Sequence, residues 1–180
     1  MEDESNVIKV TVEWAYIDDK LTKVLLIYNH MYWCFEICQD ANDENIWRTS
    51  LNGNTRLFVI EKEEDIFKVG PRIFIDLSSA KRFIRHATVQ MLALAWKYSY
   101  VMYQKEMWKE AGGNLVKTFE NGMSLLIEDS ENDSSLYFED SLLKNYPTRE
   151  MAVQDAKRQF IYTLVPMLIE LHIANIGNTN

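Results

Sequence analysis

Glycine, proline and cysteine are scarce in this chain of 180 residues, at six, three and two. None of the glycines forms a loop able to cradle phosphates, and the Gly-x-Ser-x-Gly turn of a serine hydrolase does not occur. Two cysteines, Cys34 and Cys38, cannot build a disulfide scaffold. No uninterrupted apolar run reaches the ~18–20 residues that span a bilayer, so no membrane contact is expected. His30, His86 and His172 lie far apart, none in a His-Glu-x-x-His string, so neither a metal nor a cofactor is expected. Positive charge is short as well. Against 27 acids stand only 19 Lys plus Arg, a net charge of −8, which argues against direct binding of nucleic acid. Apolar residues make up 47% of the chain, enough to bury a core. The first residues, Met1-Glu2-Asp3-Glu4-Ser5-Asn6, are acidic and polar, unlike a signal or transit peptide, and a soluble cytoplasmic protein is expected.

Residues 7–77 read as strands. Over 7–14, Ile8, Val10, Val12 and Trp14 alternate with Lys9, Thr11 and Glu13, the period-2 pattern of a half-buried strand. Asp18-Asp19-Lys20 and Asn29-His30 mark turns, and Asn52-Gly53 marks a tight hairpin. A long helix follows, with Ser78 and Ser79 as its expected caps and Gly112-Gly113 as its expected end. The second half repeats the order on a smaller scale: a hairpin about Asn121-Gly122, a third short strand at 136–138, and a helix capped by Thr148. Met151, Ala152, Ala156, Phe160 and Leu164 form its apolar stripe, and Pro166 is expected to kink or end it. The fold class is therefore α+β: antiparallel sheets packed with two main helices, in two unequal halves, 1–111 and 114–180.

Charge is unevenly spread. Between Thr118 and Leu143 stand Glu120, Glu128, Asp129, Glu131, Asp133, Glu139 and Asp140, with no Lys or Arg. The start of the long helix concentrates Lys81, Arg82, Arg85 and His86, where the helix dipole disfavours cations. A compensating partner is expected, an acidic segment such as 61–65 or an external anion. The same helix carries two apolar faces: Ile84, Ala87, Met91, Leu94, Tyr98 and Val101 on one, Val89, Leu92, Trp96, Tyr100, Tyr103 and Met107 on the other. Both need cover, from the protein itself or from a partner, including a second copy. Cys34 and Cys38, four apart on a strand, are about 13 Å from each other and read as structural residues.

Residues 115–164 are similar in element order to the strand-strand-strand-helix unit of HicB-like antitoxins and double-stranded-RNA-binding folds. The string Asn145-Tyr146-Pro147-Thr148-Arg149-Glu150 looks like the helix opening of such units. RNA binding does not carry over, because the basic stripe is missing. In general character, as a short acidic chain without a catalytic motif, the sequence resembles phage anti-defence proteins, with anti-CRISPR inhibitors of effector nucleases as the nearest group. That resemblance implies a non-enzymatic inhibitor of a basic nucleic-acid-handling protein. Glu128, Asp129, Glu131, Asp133, Glu139 and Asp140 would stand in for phosphates, and Trp96, Tyr100 and Tyr103 would anchor the partner. A metal-dependent nuclease is the alternative and requires several of Asp18, Asp19, Glu61, Glu63, Asp65 and Asp76 to converge. A dimeric antitoxin-like module is a third reading.

Overall fold

The period-2 pattern of the first half becomes a meander of antiparallel strands. The structure, a computed structural model, describes residues 11–53 and 55–177. In chain order these form β1 (Thr11–Ile17), β2 (Leu21–Tyr28), β3 (Met31–Gln39), β4 (Ile46–Leu51), β5 (Thr55–Glu63), β6 (Ile66–Val69) and β7 (Arg72–Phe74), then helix α1 (Leu77–Lys105). They continue as β8 (Lys109–Ala111), β9 (Asn114–Thr118), β10 (Ser124–Asp129), β11 (Ser134–Phe138) and β12 (Ser141–Tyr146), then helix α2 (Arg149–Gly177). The first seven strands make one sheet in sequence order, and the last five make a second in the order β12-β11-β10-β9-β8. The α+β class stands. The alternation expected over 7–10 lies outside the described residues.

Contacts divide the chain into two compact units: residues through Leu94 together with those from Pro166 on, and Ala95–Val165. The division falls inside both helices, whereas the sequence pattern places it at Gly112-Gly113, between 1–111 and 114–180. Tyr103 of α1 and Phe160 of α2 both pack with Phe119 in the second unit, which draws those parts of the helices into it.

In the first unit register decides the core. Val24 pairs with Phe35, and Phe35 with Leu51, so all three project from one face and are fully buried. Leu26 with Trp33 and Thr22 with Ile37 extend that face. The β2–β3 connection is a two-residue turn with both residues left-handed, Asn29 at φ 47° and His30 at φ 62°, which matches the twist of a hairpin. Thr49 sits at a register shift between β4 and β5, where its hydroxyl donates to the Phe58 carbonyl and accepts from the Phe58 N–H.

Helix α1 begins one residue after its cap, and that cap is Asp76 instead of the expected Ser78 or Ser79. The Asp76 carboxylate accepts from the Ser79 N–H at 2.7 Å and from its hydroxyl at 2.9 Å. These bonds from Ser79 hold the carboxyl below the usual carboxylate range. Lys81, buried on the first turn, donates to the carbonyls of Asp18 at 2.6 Å and Asp19 at 3.1 Å. Trp47 Nε1 donates to the same Asp19 carbonyl at 2.9 Å. Segment 61–65, the expected partner, forms no ion pair with the cations at the start of α1 among the described residues, and its Glu63 pairs with Lys68.

The expected helix boundaries shift as well. Gly112-Gly113 does not end the helix. Both glycines are left-handed, at φ 62° and 88°, in the turn joining β8 to β9. Of the two outcomes expected at Pro166, a kink or an end, the end does not occur, and α2 continues to Gly177. Thr148 caps α2 as expected, accepting from the Met151 N–H at 3.3 Å. Ala152, Ala156, Phe160 and Leu164 of the expected stripe are buried, but Met151 is exposed. No helix among the described residues is long and apolar enough to cross a membrane.

Candidate partner-binding surface

The acidic window folds onto the second sheet, and strand register distributes it. Ile127 and Leu125 of β10 are buried opposite Leu136 and Phe138 of β11, which turns Glu128 to the other face. Asp129 pairs with Ser134 at the end of the ladder, and Ser130, Glu131, Asn132 and Asp133 form the connecting tip. The tip is held by the Ser130 N–H donating to the Asp133 carbonyl at 2.9 Å and by the Ser130 hydroxyl donating to the Asp133 carboxylate at 2.5 Å. It is thus a formed hairpin that presents Glu128, Glu131 and Asp133, and among the described residues none of the three has a cationic partner.

Asp129 differs. It accepts from the Ser134 hydroxyl at 2.6 Å and forms an ion pair with Arg149, in the first turn of α2. These two bonds, Ser134 first, hold its carboxyl below the usual range. Arg149 also donates to the Gly113 carbonyl and stands 3.5 Å from Glu110, so one guanidinium ties β10, the β8–β9 turn and α2 together. Asp129 is neutralised within the chain and serves the fold.

Glu139 and Asp140 stand at the opposite end of the sheet, in the β11–β12 turn. Glu139 is left-handed, at φ 53°, and its carboxylate accepts from the Ser124 N–H at 2.6 Å. The five residues of β11 lie between the two groups and by themselves span roughly 13 Å at ~3.3 Å per residue, so Asp133 and Glu139, six steps apart, stand about 20 Å from each other along the strand. The six carboxylates therefore do not form one patch, as their closeness in sequence suggests, but two.

The aromatic anchors also part. Trp96 and Tyr100 stack with centroids 5.0 Å apart, half-buried, with Lys157 Nζ 5.0 Å from the Tyr100 ring. Tyr103 is 8% exposed and packs on Phe119 and Phe160, so it is a core residue instead of a partner contact. The exposed apolar side chains of α1 in this unit are Tyr98 and Val101, which with Met102, Lys105, Glu106, Glu120 and Asn121 line a cavity of about 300 Å³. The helical wheel carries the signal. Ile84, Thr88, Ala95, Ser99 and Met102 fall within about 60° at 100° per residue, so small polar residues complete the buried face and Tyr98 and Val101 rotate off it. Ser99 is buried without penalty because its hydroxyl donates to the Ala95 carbonyl at 2.8 Å.

Lys117 is buried beneath Tyr103, with Nζ 3.6 Å from that ring's centroid and 5.6 Å from that of Trp108. Desolvation pushes its pKa down, and Glu106 opposes the shift only in part. A depressed amine means that the unfolded chain binds the extra proton. The charged lysine therefore weakens the fold at neutral pH, and stability is regained as pH rises through its folded pKa. Lys117→Met is accordingly expected to leave stability at pH 7 unchanged or raise it by up to about 1 kcal/mol in urea unfolding. A loss of more than about 1 kcal/mol would show that the ring contacts outweigh desolvation.

The remaining sequence candidates do not come together. Asp18 and Asp19 lie in the β1–β2 turn, Glu61, Glu63 and Asp65 at the β5–β6 turn, and Asp76 at the start of α1. Among the described residues no three His, Cys, Asp or Glu side chains stand close enough to share a metal ion. Cys34 and Cys38 are both free on β3, on the face opposite the core, and Cys38 is exposed instead of structural. No family model, curated protein or solved structure matches the chain.

Proposed function

We propose that this protein is a non-enzymatic binding protein that inhibits a nucleic-acid-handling protein by docking the β10–β11 hairpin into its cationic nucleic-acid-binding surface. The observation that carries this reading is the formed hairpin tip on which Glu128, Glu131 and Asp133 lack any cationic partner within the described chain. Carboxylates at such a tip compete with phosphates for a Lys- and Arg-lined channel and draw on the same release of counterions. The general character of the sequence suggests a CRISPR effector nuclease as the target. Glu139 and Asp140, at the far end of the sheet, are left outside this contact, and so is the buried Tyr103.

The test is capture of purified effector nucleases on the immobilised protein at two salt concentrations. Retention of a nuclease at about 50 mM salt, lost by about 200 mM and competed by the nuclease's own nucleic acid, is the expected result. Retention that is indifferent to salt, or retention of none of the panel, refutes electrostatic capture of these enzymes.

A further inference from the structure

The first unit, in a chain of net charge −8, holds a cationic corner that forms no ion pair among the described residues. Arg82, Arg85 and His86 lie three and four positions apart on α1 and so on neighbouring faces of the helix. With Ser79, Phe83 and Val89 they line an open groove of about 730 Å³. A third guanidinium, Arg72 after the β6–β7 turn, stands 4.8 Å from the centroid of the Phe83 ring. Arg48 and Arg149 are ion-paired, but among the described residues Arg72, Arg82 and Arg85 form no ion pair, and His86 meets only Gln90, at 2.9 Å. Asp76, the carboxylate whose charge Arg82 influences, is engaged by the Ser79 N–H and hydroxyl. Gathering like charges costs free energy on folding, and among the described residues no carboxylate of segment 61–65 forms an ion pair with these cations, Glu63 pairing with Lys68. The cations are left for an external anion.

The groove narrows the kind of anion. Guanidinium forks match phosphate oxygens in pairs, which favours phosphate over a single carboxylate. Phe83 and Val89 supply an apolar wall beside them, and the volume lies in the range of small-molecule sites. The excess of acids over the whole chain disfavours a long polyanion, which would need cations along its track. We propose that this groove binds a nucleoside polyphosphate, with the phosphates on Arg82, Arg85 and His86 and the nucleoside against Phe83 and Val89. This site is separate from the acidic hairpin and does not depend on it.

Isothermal titration of the full chain with ATP, AMP, inorganic tripolyphosphate, a short single-stranded oligonucleotide and a peptide of residues 128–133 tests the assignment. ATP is expected to bind more tightly than the other four, with an affinity that falls as salt rises. The double variant Arg82→Gln/Arg85→Gln is expected to lose about a hundredfold in ATP affinity, about tenfold per guanidinium, while Lys20→Gln binds as wild type. Both arginines reach solvent, so the melting temperature of the double variant should match wild type. Equal affinity for tripolyphosphate overturns the nucleoside contact. Preference for the oligonucleotide or the peptide overturns the choice of a small ligand, and absence of ATP binding, or full ATP binding by the double variant, overturns the site. Nuclease capture by the hairpin should be the same in this variant, so failure here and failure of the hairpin reading are separable.

Discussion

Replacing Glu128→Gln, Glu131→Gln and Asp133→Asn together is expected to weaken capture of the target nuclease by about a hundredfold at low salt while the fold survives. Each change removes a charge and keeps the side-chain shape. Glu128 faces away from the core on β10, and Asn at 133 can still accept the Ser130 hydroxyl through its carbonyl oxygen, so the tip keeps its closure. Asp129 is left in place because its carboxylate is committed to Arg149 and Ser134, and neutralising it would unsettle the junction of β10, the β8–β9 turn and α2. The loss should fall mainly on association rate and shrink as salt rises, the mark of electrostatic steering. A matched variant at the far end of the sheet, Glu139→Gln/Asp140→Asn, is expected to bind as wild type. Binding by surface plasmon resonance, with circular dichroism to confirm the fold, distinguishes the outcomes. Undiminished capture by the triple variant would remove the hairpin from the interface.

Phe160→Ala is expected to cost about 3–5 kcal/mol, a large part of the 5–15 kcal/mol that holds a typical domain folded. Phe160 is fully buried at the centre of a ring cluster in the second unit. Phe119 stacks on it with centroids 4.5 Å apart, and Tyr103 and Phe138 approach to 5.7 and 5.9 Å. Truncation leaves a void bounded by these three rings, which are held by their own packing and cannot collapse to fill it. Phe160→Leu, which keeps most of the volume, should cost far less. Urea unfolding measures both, and a loss below about 1 kcal/mol for the alanine variant would place the core of this unit elsewhere.

Local features were legible without the fold. Asn52 and Gly53 are left-handed, at φ 53° and 79°, as an Asn-Gly hairpin requires, and Thr148 caps α2 from its own sequence signature. The strands β2 and β3 were legible from their β-branched and aromatic content, although which face each buries was not, since Leu21, Leu25 and Ile27 lie on the face opposite the buried Thr22, Val24, Leu26 and Tyr28. These choices depend only on neighbours a few residues apart. The α+β class follows from them.

Other outcomes needed the assembled chain. The segment Lys109-Glu110-Ala111 has no strand pattern of its own and is exposed throughout, but it becomes β8 because β9 offers it a ladder, which turns Gly112-Gly113 from a helix end into a hairpin. β12 forms the same way on β11. Burial of Ser99, Thr88 and Lys117, against exposure of Tyr98 and Val101, follows from which faces the sheets and helices cover, which residue polarity alone does not disclose. The acidic window shows the difference most directly. Its composition and net charge are properties of the sequence, but its division into a tip of uncompensated carboxylates, an Asp129 neutralised by Arg149, and a distant pair at Glu139 and Asp140 is set by strand length and register. Charge is carried residue by residue, whereas a surface exists only once distant segments have been brought side by side.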